Sequence, residues 1–152
     1  MLDGARQKLS LSRGTVRLTS KEPKAAPLID SNLLAEDADV QTLVRAIRML
    51  RRIVSQSPLA GMVMDEIKPG PHSTSEAALV EYVKARTGLA YHAWGTCRMG
   101  IDNNAVVTPD LKVKGLENLW IADASVMPEL ISGNINAACM MISEKLGRQL
   151  RG

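Results

Sequence analysis

Between residues 91 and 141, three short apolar segments carry polar groups where a core would be uniformly apolar: YHAWGTCRMG, LWIADASVMP and ISGNINAACMM. They hold one of the two histidines, a Gly-Thr turn, an Asp inside an apolar run and an Asn-x-Asn pair. Burying a polar group without a partner costs roughly 1–3 kcal/mol in proteins. Several such groups together therefore point to a site rather than to a filled core. Turn signals at Gly95, Asn103, Asn104 and Gly115 break this region into short pieces. The pattern predicts short strands at LAYHAW, AVVTPDLKV and NLWIADAS, then a helix from about 134–137 to 150.

Upstream the patterning is helical. Val40, Leu43, Val44, Ile47, Leu50, Ile53 and Val54 recur at three- and four-residue steps, which predicts a helix over 39–56. Asp37 or Asp39 is the expected cap and Pro58 the stop. Arg45, Arg48, Arg51 and Arg52 fall on the opposite, solvated face. Ser73 followed by Glu76 reads as a capping box for a second helix through Leu79, Val80 and Val83, ending near Gly88. His72 sits in the preceding Pro-Gly loop and reads as a solvated residue. Alternation over 12–20 predicts a strand with one buried face, and Pro23 and Pro27 make 21–32 an extended connection. The expected fold class is α+β, a small, mainly antiparallel sheet with packed helices and the 39–56 helix on one sheet face. Residues 1–90 form one part and residues 91–152 the other.

The bulk properties exclude more than they assign. A chain of 152 residues can bury a core. Phe is absent, so aliphatic side chains and Met must fill it. The net charge of +3 forms no basic tract with interleaved aromatics, which argues against nucleic acid. Cys97 and Cys139 match no metal spacing and read as small buried hydrophobes, and no metal site is expected. No run is long enough to span a bilayer and the polar start does not resemble an export signal, so a cytoplasmic chain is expected.

HAWGTCRMG, VVTPDLKVKGLENLWIADASVMPE and SGNINAACMMISEKLGRQL resemble the C-terminal signature of the glucose-methanol-choline (GMC) oxidoreductases, closest to choline-dehydrogenase-like members. SRGTVRLTSKEPKAAPLIDSNLL and the helix after it also read like that family's substrate domain. The resemblance implies an FAD-dependent enzyme that oxidises the CH–OH group of a small alcohol. It makes His92 and Asn134 the catalytic pair. Asp123 and Ala124 would contact the flavin's ribityl and phosphate portion, and Ile135 and Asn136 would approach its ring. Gly95 and Thr96 would shape the turn behind the histidine.

The residue types suit that chemistry. Alcohol oxidation removes a hydroxyl proton and a hydride from the adjacent carbon; a flavin takes the hydride, and the protein supplies a base and orientation. Histidine's ordinary pKa near 6.5 suits a base at neutral pH. An Asn carboxamide can hydrogen-bond the developing alkoxide without adding charge. The glycines here contain no GxGxxG turn for the adenosine diphosphate end of FAD. The chain thus resembles a C-terminal fragment, from a truncated gene, an assembly break or one half of a split protein whose companion chain carries the flavin domain. By itself it is expected to be colourless and inactive. A non-catalytic remnant or interaction module that kept the fold is the alternative.

Overall fold

A computed structural model of the protein describes residues 10–152. The chain divides into two compact units, Met1–Leu89 and Ala90–Gly152.

In the first unit, α1 (Asp37–Val54) and α2 (Glu76–Arg86) carry the core. Val40, Leu43 and Val44 of α1 meet Leu79 and Val83 of α2, and Val44 and Leu79 are completely shielded. Burying an aliphatic side chain of this size contributes about 1.5–3 kcal/mol. The periodicity therefore located α1 within two residues at each end. Its expected packing on the sheet is corrected, because its apolar stripe is taken up by α2.

The sheet is a two-stranded antiparallel hairpin, β1 (Thr15–Arg17) with β2 (Leu28–Asp30), in which Val16 faces Ile29. The expected buried face is absent. All six strand residues are exposed, since no residue of the α1–α2 core belongs to the hairpin.

Three local expectations are also revised. Glu36 occupies the cap position of α1 without a side-chain bond. Asp39 instead turns inward and accepts hydrogen bonds from Ser10 Oγ (2.6 Å), Leu11 N (2.9 Å), Ser12 N (2.8 Å) and Ser12 Oγ. Burial alone would raise this carboxyl, but these hydrogen bonds outweigh it and hold Asp39 well below the usual carboxylate range. Ser75, not Ser73, caps α2 by accepting from Ala78 N (3.2 Å), while Glu76 pairs with Arg48. Arg51 is not a solvated arginine. Half-buried, it grips Glu66 through Nε and Nη2 and donates to the Ser73 and Gly70 carbonyls, pinning the 66–73 loop to α1. Arg45, Arg48 and Arg52 are exposed as expected.

The second unit packs around Val107, Leu111, Val126, Met127, Ile135, Ile142 and Leu146. Helix α3 (Asn136–Arg151) buries Ile142 and Leu146, while Met140 and Met141 stay exposed at 62% and 57%. Of the three expected strands, 105–113 and 118–125 reduce to isolated bridges, Met99 with Val107, Val107 with Val113, and Lys112 with Trp120, and 89–94 takes part in none. Positive φ at Leu111 (64°) and Asn118 (55°) turns the chain before any ladder can extend. Ala124 and Ser125, at the end of the third expected strand, wind with Val126 into a 3-10 turn.

Candidate functional site

Three segments of the second unit meet at one depression. Residues 95–99 run beside the 3-10 turn: Gly95 N donates to Ala124 O (3.2 Å), Cys97 N to Ser125 O (2.9 Å) and Met99 N to Val126 O (2.8 Å). Gly95 makes this approach possible. Its φ of +80° is a conformation that costs an L-residue roughly 1–2 kcal/mol, and an added Cβ would lie 3.4 Å from Met127 O. From the other side, Ser143 Oγ of α3 donates to Ala122 O at 2.6 Å.

The depression so formed measures about 460 Å³. One wall is Tyr91, Ala93, Trp94 and Thr96, the next is Asp123, Ala124 and Ser125, and the helical side is Ile135 and Cys139. This volume falls within the range of small-molecule sites, about 300–1,000 Å³. Tyr91 is 96% exposed and sits at φ +60°, a costly conformation for a bulky residue. Its ring therefore stands at the rim with almost no packing to account for its backbone geometry.

Of the residues named from sequence, Asp123, Ala124 and Ile135 line the depression. Asp123 caps the 3-10 turn, its Oδ1 accepting from Ser125 N (2.7 Å). His92, half-buried, lies between the lining residues Tyr91 and Ala93 but is not itself in the wall. Asn134 and Asn136, both exposed, flank the lining residue Ile135. Asn134 Oδ1 accepts from Asn136 N (2.9 Å) at the start of α3. That bond fixes the carboxamide, because only the oxygen can accept from an N–H, and it leaves Nδ2 as the group's donor end.

Sequence reasoning missed Tyr91, Ala93, Trp94, Ser125 and Cys139 as lining residues, and assigned Thr96 only to the turn. The adjacency of Tyr91 to His92 was the available signal. Cys97 and Cys139 are free and half-buried rather than core residues. Among the described residues no group of three or more His, Cys, Asp or Glu could hold a metal ion, and no helix is long and apolar enough to cross a membrane.

Residues 10–143 match the family model of the GMC oxidoreductases. The oxygen-dependent choline dehydrogenase 1 of Chromohalobacter salexigens is 43% identical over 145 residues, 94% of this chain and 26% of that protein. An alcohol dehydrogenase [acceptor] of Pseudomonas putida is 43% identical over 136 residues, 90% of this chain and 25% of that protein. Among solved structures, pyridoxine 4-oxidase from Mesorbium loti superposes with a TM-score of 0.83 at 35% identity, over 93% of this chain and 28% of that one. A fungal aryl-alcohol oxidase does so at 0.77 and 32%, over 89% and 22%. The chain belongs to the GMC oxidoreductase family. It spans about a quarter of the length of the curated relatives it matches.

Proposed function

We propose that this chain supplies the alcohol-activating residues and part of the flavin site of an FAD-dependent oxidoreductase acting on CH–OH groups, with a choline-like alcohol as the first substrate to test. The supporting observation is the meeting of residues 91–96, 123–125 and 135–139 at one depression, because these are the segments that carry the family resemblance.

The lining fits one end of a flavin rather than all of it. Asp123, Thr96 and Ser125 offer polar atoms beside the apolar Ala124 and Ile135. No Gly-rich phosphate loop occurs among the glycines of the sequence, so the adenosine diphosphate end is held by sequence outside these 152 residues, on the same or a companion chain. The 152 residues alone then stay colourless and bind no FAD at micromolar concentration. Residues 1–90 act as part of the substrate domain, and residues 91–152 as the catalytic return. Asp123 and Ala124 would hold the ribityl and phosphate portion, and Ile135 and Asn136 would lie toward the ring.

When bound, the flavin supplies the hydride acceptor. His92 takes the substrate hydroxyl proton. Asn134, with its oxygen engaged by Asn136 N, donates from Nδ2 to the same substrate oxygen as negative charge develops there. In a full-length protein completed with a flavin domain, His92→Ala is expected to lower turnover on the order of 10²–10⁴-fold. Asn134→Ala is expected to lower it on the order of ten- to a thousandfold. Both variants should keep their flavin absorbance. Near-normal turnover in His92→Ala would remove the histidine from the mechanism.

A further inference from the structure

The wall carrying Asp123 is held from two directions, and the two holds differ in kind. On the 95–99 side it is backbone to backbone, with N–H groups of Gly95, Cys97 and Met99 donating to successive carbonyls. Any sequence that keeps the turn keeps those bonds. On the α3 side the hydrogen bond comes from a side chain, the Ser143 hydroxyl donating to Ala122 O at 2.6 Å, beside non-directional apolar packing of Ala122, Ala124 and Val126 in the same cluster as Ile142 and Leu146. Ala122 immediately precedes Asp123, and Ser143 lies four residues after Cys139 on the same face of α3.

The geometry points to Ser143 as a positioning residue that sets the separation between the Asp123–Ser125 wall and the α3 wall bearing Ile135 and Cys139. This inference rests on the depression being the site, and it reaches that site through Ala122 rather than by contact with a ligand. The core residues Ile142 and Leu146 already hold the helix in the unit, so losing the Ser143 bond would let the helix shift against Ala122 without unfolding. Such a shift opens or narrows the space in front of Cys139. Its consequence in the complete enzyme is a change in how closely Ile135, and the helix start beside it, approaches whatever occupies the depression.

The Cys139 thiol reports this geometry without any cofactor. The experiment uses the 152-residue chain carrying Cys97→Ala, so that a single thiol remains, and follows its reaction with a colorimetric aromatic disulfide. Ser143→Ala is expected to change the rate about two- to fivefold, the weight of one neutral and partly solvated hydrogen bond. Ser143→Thr, which keeps the hydroxyl, should restore the reference rate, while Ser143→Val should behave like Ser143→Ala. An unchanged rate in both Ala and Val variants overturns the proposal. Hydrogen exchange over residues 144–151 separates positioning from stability: protection should be retained in all three variants. Loss of protection through the whole helix would make Ser143 a residue of general stability and overturn the positioning role. Because no readout here depends on turnover, failure of the flavin reading and failure of this inference are told apart.

Discussion

Asn in place of Asp39 tests the main polar anchor of the first unit. The carboxylate is 1% exposed and takes Leu11 N on one oxygen and Ser10 Oγ, Ser12 N and Ser12 Oγ on the other. An Asn that keeps its oxygen toward Ser10 and Ser12 presents an NH2 group to Leu11 N, donor against donor. That loss costs about 1–3 kcal/mol, and the remaining bonds fall from charge-assisted to neutral strength. Part of this is offset, since the amide avoids the carboxylate's desolvation. A net destabilisation of about 2–4 kcal/mol is expected, read by urea unfolding and by exchange of the α1 amides. The pH dependence fixes the sign. Asp39 is held below its unfolded value of about 3.9, so its contribution is complete above that pH and is lost as pH falls toward the folded value. The gap between the native chain and Asp39→Asn should therefore be constant from pH 5 to 7. Below about pH 4 it should shrink by up to about 1.4 kcal/mol per unit. A gap under about 0.5 kcal/mol at pH 7, or one that widens on acidification, would refute the reasoning.

Gly95→Ala should destabilise the second unit by about 1–2 kcal/mol, since alanine must hold φ +80° with its Cβ 3.4 Å from Met127 O; Trp94 and Trp120 report the unfolding. Tyr91→Gly should act oppositely, stabilising the unit by up to about 1 kcal/mol because φ +60° suits glycine and the ring makes few contacts; a lowered midpoint would show that the ring is held after all. Arg51→Met should cost about 1–3 kcal/mol and raise proteolysis within 66–73, because it leaves Glu66 and the Ser73 carbonyl without this donor and the Gly70 carbonyl with Ser73 N alone.

What was legible in the sequence follows from the range of the interactions. Helices α1, α2 and α3 rest on local periodicity, so they emerged within a few residues of their ends. Asp39 and Arg51 were misread because their partners lie 15 to 29 residues away, and no local pattern announces such partners. The strands expected in the second unit failed because backbone turns at Tyr91, Leu111 and Asn118 break an otherwise plausible alternation. At the site, the segments were recognisable from their unusual polar groups. Which side chains of each segment face the depression depends on irregular backbone, and period-two reasoning does not reach it. His92 and its two lining neighbours illustrate the limit.

The β1–β2 hairpin has a consequence for how the chain behaves in a tube. A two-stranded sheet consists only of edges, so among the described residues each strand has one row of N–H and C=O groups that pairs with no other strand and can receive an extended segment in register. Val16, Leu18, Leu28 and Ile29, 51–86% exposed, place aliphatic surface beside those open rows. A net charge of +3 supplies only modest repulsion between copies. Handled at high concentration, these 152 residues should self-associate through the hairpin long before the helical core gives way. Dilution, rather than cooling or added stabiliser, is what should keep them monodisperse.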